Sequence, residues 1–277
     1  MIAALEPAAV ETAPAQKASN PRSIDDLLKT VSPSRLICFL QCRLKFYFRY
    51  VLGITKPKTP ALHVGTSVHA VLKQWNMARW KQQPKSLKEL HDIYLGAWSE
   101  QTDAPVKWEA GEEVEQQSIG WKLLETYFRE SGIKPDEKPD AVEVSAVADL
   151  SRHGLPSLIG ILDLVQQGKI IDFKTSGKTP DPEKAVHVNE VQTSSYAVLY
   201  RESTGKQEAG IALHHLIKTK SPKLVITQVN PMSPQQQTRL FKIMDSYVNG
   251  LNREDFIPSP GFQCSSCEFF NECRGWH

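Results

Sequence analysis

Fifteen residues, GILDLVQQGKIIDFK from Gly160 to Lys174, constrain the chain more than any other stretch. Two β-rich apolar runs flank Gln167-Gly168, and a two-residue turn there pairs residues whose numbers sum to 335. Leu164 then faces Ile171, and Asp163 faces Asp172. A three-residue loop would offset this pairing. Two carboxylates directly opposed across a hairpin cost roughly 0.2–1 kcal/mol, and more if the face is buried. A divalent cation removes that conflict, because Mg²⁺ uses one or two protein carboxylates and keeps its other positions for water and phosphate oxygens. Lys174, two residues beyond Asp172, shares its face. The competing arrangement is a surface hairpin with outward acids and Lys174 as their ion-pair partner.

The rest of the chain supplies a frame for that hairpin. Upstream, Ser32-Pro33 offers an N-cap and first-turn proline for one helix running to Leu52. Further helical patterns span Gly65 to Trp80, Leu87 to Trp98 and Glu112 to Arg129. From Ala141 the pattern changes to short Val- and Ile-rich strands, AVEVSAVADL, SLIGILDLV and KIIDFK. A helix over Glu190 to Tyr200 follows, then the strands IALHHLIK and KLVITQV joined near Ser221-Pro222, and a last amphipathic helix from Gln235 to Leu251. This order predicts one mixed α/β domain over residues 26–277 with a helical cover, rather than a doubly wound parallel fold. Residues 1–25, rich in Ala, Pro and Glu, read as a disordered tail, and the C-terminus reads as a loop. With no stretch near the roughly 18 apolar residues that cross a bilayer, and no cationic start before an apolar core, the expected location is cytoplasmic.

Charge is unevenly spread. From Leu27 to Lys88 there are twelve Lys and Arg and no acid, so the remainder carries 21 cations against 31 acids. Within that basic stretch Arg43, Lys45 and Arg49 interleave with Phe46, Tyr47 and Phe48. Such a pattern suits phosphate contacts beside base stacking, or a solvated basic face over buried aromatics.

Three of the five cysteines, Cys264, Cys267 and Cys273, have the spacing C-x2-C-x5-C; Cys38 and Cys42 lie far upstream. In a cytoplasmic chain thiolate metal ligation is the better default than disulfides, and three clustered sulfurs plus one distant one suit Zn²⁺ or a [4Fe–4S] cluster.

The hairpin and its surroundings resemble the PD-(D/E)xK nucleases. Asp163 matches the first motif acid and Asp172-Phe173-Lys174 the second, in its Asp-x-Lys form. GTSVH resembles the Gly-x-x-x-His helix motif of the RecB-like branch, and QTSSY its Gln-x-x-x-Tyr motif. The resemblance implies a restriction-endonuclease-like core over about residues 61–230, a mixed sheet flanked by helices. It implies Mg²⁺ or Mn²⁺ at His69, Asp163, Asp172 and the Phe173 carbonyl, Lys174 assisting the attacking water, and Gln192 with Tyr196 positioning the strand. Glu143 stands where many relatives carry a glutamate, and an outward strand acid is an equal reading.

CRLKFYFRYVLGI, with the three C-terminal cysteines, is similar to AddB-type and CRISPR-adaptation iron–sulfur nucleases. That likeness implies a [4Fe–4S] cluster on Cys42, Cys264, Cys267 and Cys273 clipping the N- and C-terminal parts together, with zinc or unligated thiols as alternatives. The expected function is a metal-dependent DNA exonuclease acting on single-stranded or unwound ends in repair or recombination. The chain has no G-x-x-x-x-G-K-[ST] loop, so ATP-driven unwinding would need a helicase partner. The rival is a non-catalytic DNA-binding or scaffolding subunit on the same fold; Arg43, Lys45 and Arg49 are the expected DNA contacts.

Overall fold

A computed structural model describes residues 21–100 and 106–276. The tail expected over residues 1–25 therefore lies mostly outside the described residues, and its last positions belong to a helix. That helix, α1 (Ile24–Lys29), is capped by Ser23 and leads into the short strand β1 (Thr30–Val31).

The single helix expected from Ser32 to Leu52 is broken. Helix α2 (Pro33–Gln41) ends at Cys42, whose backbone is extended (φ −165°, ψ 115°) and whose Sγ caps α3 (Arg43–Phe46) by accepting from Lys45 N–H at 3.5 Å. A π-turn over Tyr47–Val51 follows. Apolar periodicity continues across Cys42, which is why the break is invisible to pattern alone.

Three long helices come next: α4 (Pro60–Trp80), α5 (Leu87–Ser99) and α6 (Glu112–Glu130). Thr59 caps α4 and Pro60 opens it, so the helix starts a turn before the expected Gly65. Strands β2 (Ala141–Ala148), β3 (Ser157–Gln166) and β4 (Lys169–Ser176) precede helices α7 (Pro182–Val188) and α8 (Glu190–Thr204). Strands β5 (Ile211–Ile217) and β6 (Lys223–Val229) and helix α9 (Pro234–Asn252) complete the core. The C-terminal stretch holds a 3₁₀ turn, Phe262–Ser266, and the short helix α10 (Phe270–Arg274) where a loop was expected.

The strands form one mixed six-stranded sheet in the order β1-β3-β4-β5-β6, with β2 also on β3. β1 with β3 and β4 with β5 are parallel; the other pairs are antiparallel. One apolar core lies between the sheet and α2, α8 and α9, including Phe39, Leu158, Leu162, Leu199 and Tyr247. A second lies on the opposite face under α4–α6, including Val68, Trp75, Leu123, Leu164 and Phe173. Both faces are thus covered by helices, as the mixed α/β expectation requires. Among the described residues no helix is long and apolar enough to cross a membrane.

The sheet contains a fork. β2 runs along one edge of β3 from Leu158 to Val165. On the other edge β1 pairs only with Ser157 and Leu158, and β4 only with Leu164, Val165 and Gln166. Residues 159–163 of β3 are left unpaired on that edge, opening a gap towards the far half of β4.

Candidate active site

The β3–β4 turn has the two-residue form. Gln167 and Gly168 both take positive φ (52° and 69°), and the rungs Gln166↔Lys169, Val165↔Ile170 and Leu164↔Ile171 have the register read from the sequence. The rung that would set Asp163 against Asp172 does not form, because the strands part there. Asp163 Oδ2 instead accepts a hydrogen bond from the Phe173 main-chain N–H at 3.1 Å.

Asp172 is 2% exposed. Its Oδ1 accepts from Gln192 Nε2 at 3.1 Å. Its Oδ2 lies 2.8 Å from Lys174 Nζ, a buried ion pair. Lys174 Nζ also donates to Gln192 Oε1 at 2.6 Å, and Gln192 Nε2 reaches Tyr196 Oη at 2.7 Å. Gln192 and Tyr196 stand one turn apart on α8, so they reach the fork from one side of the sheet.

His69 reaches it from the other side, on α4. Gly65, one turn earlier, makes this approach feasible: a Cβ there would sit 2.9 Å from Thr175 Oγ1 of β4. His69 Nδ1 lies 3.9 Å from Asp163 Oδ2, and its ring meets that of Phe173 edge-on with centroids 6.1 Å apart. Burial lowers the His69 pKa, against the opposing pull of Asp172, the Phe173 main chain and Glu143. Burial raises Asp163 to about 7; Asp172 and Glu143 push the same way, against the Phe173 N–H and Lys174. Tyr196 is likewise raised, first by burial and then by the two aspartates.

Glu143 belongs to this cluster, a placement the sequence left undecided. The β2–β3 ladder pairs Val142 with Leu164 and Val144 with Leu162, and skips the position between. Glu143 adopts φ +50°, strained for a non-glycine residue in a strand, and its Oε2 lies 3.6 Å from Lys73 Nζ on α4. Three acids on three adjacent strands thus converge beside His69. The hard oxygen donors at Asp163 and Asp172, whose mutual repulsion adds to burial in raising Asp163, fit a small divalent cation using two carboxylates. Among the described residues no group of three or more His, Cys, Asp or Glu side chains is placed so as to hold a metal ion.

The family model for the PD-(D/E)XK nuclease superfamily matches residues 30–274. The chain belongs to that superfamily. In fold it is similar to the crystal structure of a "putative exonuclease" from Eubacterium rectale, at a TM-score of 0.61 and 14% identity over 96% of this chain and 94% of the other. None of the curated proteins matches the chain. Membership supports a hydrolytic nuclease, and the likeness shows the same fold.

Away from the fork, the nuclease gathers four of its five cysteines beside a third, small core. Cys42, Cys264, Cys267 and Cys273 line one cavity of about 740 Å³ with Leu44, Phe48 and Phe269. Burial raises the Cys273 pKa, and the other three thiols push it further. Cys38 is absent from that lining; it is buried in the core under α2, where loss of solvation pushes its thiol up to about 11.

In the basic segment, Arg43, Lys45 and Arg49 meet acidic partners that the sequence did not show. Arg43 pairs with Asp255, Lys45 (3.3 Å) and Arg49 both pair with Glu268, and Lys56 pairs with Glu272. Phe46 and Phe48 are buried, and Tyr47 packs on Phe256 at 4.9 Å. These cations tie the C-terminal segment to the basic segment, and the rings of Phe46 and Phe48 are taken up in packing. The sequence showed the cations without the acids that neutralise them, which lie some 210 residues on.

Proposed function

We propose that the protein is a metal-dependent deoxyribonuclease of the RecB-like, AddB-like branch, working in the cytoplasm as an exonuclease on single-stranded or unwound DNA ends in repair or recombination. The observation that carries this reading is the fork, where burial and the neighbouring Asp172 carboxylate together raise the pKa of Asp163, and Lys174 Nζ stands 2.8 Å from Asp172. Asp163, Asp172, His69 and the Phe173 carbonyl are the groups that would hold Mg²⁺ or Mn²⁺. When bound, such a cation supplies Lewis acidity towards a phosphoryl oxygen and lowers the pKa of a water.

The chain's own residues do the remaining work. Lys174 is held by Asp172 and Gln192. Its fixed ammonium orients the attacking water and offsets negative charge developing on the phosphoryl group. Gln192 and Tyr196 form a polar rail on which the scissile strand is positioned. Neutral His69 keeps a ring nitrogen available as a donor atom, consistent with its lowered pKa. A helicase or other recombination partner would supply unwinding. Cys42, Cys264, Cys267 and Cys273, gathered around one cavity, would hold a [4Fe–4S] cluster, or Zn²⁺, as a structural clip between the N- and C-terminal parts.

Linear and circular single-stranded DNA, end-labelled where an end exists, test the activity with and without Mn²⁺. Short products from the linear strand alone support the exonuclease. Cutting of circles would make it an endonuclease, and binding without cleavage under either metal would favour the non-catalytic subunit.

A further inference from the structure

Lys174 and His215 are register partners across the parallel β4–β5 pair. Such partners stand on the same face of a sheet. That face is the one under α8: Leu213, two residues before His215, belongs to the core there, and Lys174 reaches Gln192 of α8. His214, between Leu213 and His215, turns to the opposite face, where its Nδ1 lies 3.2 Å from Tyr127 Oη of α6. His215 thus stands beside Lys174 on a strand that contributes nothing else to the fork. It is 5% exposed, and its Nε2 is buried with no hydrogen-bond partner among the described residues, a costly state for a ring nitrogen. Burial lowers its pKa, Lys174 pushes the same way and Asp172 opposes, so the charged groups of the fork are felt there. A neutral imidazole has one bare nitrogen able to accept a hydrogen bond.

Lys174 has the complementary surplus. Its ammonium carries three N–H donors. One meets Gln192 Oε1 at 2.6 Å and one faces Asp172 Oδ2 at 2.8 Å, and the third has no partner among the described residues. Neighbouring strands lie about 4.8 Å apart, a gap that a four-carbon lysine stem can span. Nζ is drawn to Asp172 because an ammonium prefers a free carboxylate to a neutral nitrogen. Asp172 is also a proposed cation ligand, and a divalent cation on its carboxylate would set a second positive charge against Nζ at close range.

We propose that His215 is a positioning residue that gives Lys174 a second seat: when Asp172 is given over to a cation, Lys174 turns its ammonium to His215 Nε2 and keeps its hold on Gln192. The proposal rests on the nuclease reading for the cation at Asp172. A neutral acceptor keeps the ammonium at the fork without adding a negative charge that would compete for that cation. It also gives a use to a histidine at a buried strand position, where aliphatic residues are the rule.

A metal-free experiment tests the seat by itself. Asp172→Asn weakens the first seat with no cation present, and ¹⁵N NMR of labelled histidine rings reads the second. The His215 Nε2 signal, assigned with His215→Gln, should move upfield in Asp172→Asn, as a bare nitrogen does on accepting a hydrogen bond. It should return to its wild-type position in Asp172→Asn/Lys174→Met. A signal unmoved in a folded Asp172→Asn variant would overturn the proposal, and so would a shift that survives the loss of Lys174.

Mn²⁺ affinity, read by calorimetry without nucleic acid, tests the consequence and decides the matter if Asp172→Asn does not fold. Without a second seat Lys174 stays on Asp172 and opposes the cation, so His215→Leu should bind Mn²⁺ more weakly by about fivefold or more. His215→Gln should restore most of the loss, and neither change should matter in a Lys174→Met background. A loss of equal size in that background would make His215 a packing residue and overturn the proposal. Wild type that binds no Mn²⁺, while its ring signal still responds to Asp172→Asn, would remove the metal-dependent reading and leave the second seat standing.

Discussion

Asp163 is tied to Phe173, its carboxylate accepting the main-chain N–H at 3.1 Å, one step past the last rung that the hairpin register forms. The opposed acids are thus relieved by parting the strands rather than by turning away. Asp163 and Asp172 stay close enough for Asp172 to raise the pKa of Asp163.

That raised pKa sets a pH dependence. A native carboxyl at about 7, against an ordinary 3.8, means the native state holds a proton that the unfolded chain releases between those values. Its stabilising contribution is full below about pH 4 and is lost as pH rises through about 7. His69 and His214 act with the opposite sign, since burial lowers both; His214 falls to about 4 and loses stability as pH falls below its ordinary 6.5. Metal-free melting from pH 4 to 8, wild type against Asp163→Asn, isolates the acid. The difference should shift in favour of the variant as pH rises, and Mn²⁺ affinity of wild type should rise through the same window as the proton is displaced.

Asp172→Asn removes one of the two like charges. It also removes the buried partner that holds Lys174 at 2.8 Å, so the metal-free variant should be less stable than wild type. In wild type, Mg²⁺ or Mn²⁺ should raise the melting temperature by mass action, and the variant should lose most of that rise. A metal response undiminished in the variant would place the metal site away from Asp172.

Glu143 carries backbone strain that function would explain. A non-glycine residue at φ +50° costs about 1–2 kcal/mol. Glu143→Gly should therefore match or exceed wild-type stability in urea, while Ser145→Gly on the same strand should lower it. If Glu143 serves the site, the stabler variant should also cleave more slowly.

The paired basic segment makes a prediction opposite to its sequence pattern. Arg43→Ala should cost about 0.5–1 kcal/mol through loss of the Asp255 pair and leave the salt dependence of DNA binding unchanged. Cys267→Ala should be more damaging. Protein purified without air should be brown and lose its colour in that variant, whereas stoichiometric zinc without iron would assign the cavity to zinc.

The hairpin and the catalytic candidates were legible because their evidence is local. Turn chemistry fixed the Leu164↔Ile171 rung, and helical spacing placed Gln192 one turn from Tyr196. What pattern could not supply was distant or geometric. The fork depends on β1 and β4 sharing one edge of β3, and two-residue β1 has no periodicity to read. Arg49 looked available because Glu268 is remote in sequence, and the helix break at Cys42 depends on a thiol capping its own chain. Glu143 was ambiguous because strand alternation does not anticipate a left-handed residue that redirects its side chain.

The most direct measurement is single-turnover cleavage of an end-labelled single strand in Mn²⁺ by wild type and Lys174→Ala, with strand affinity measured in parallel. Lys174 is fixed between Asp172 and Gln192 at the fork, so its removal should lower cleavage at least a hundredfold and leave affinity within a few-fold. Cleavage at the wild-type rate in Lys174→Ala would contradict a catalytic site in the fork.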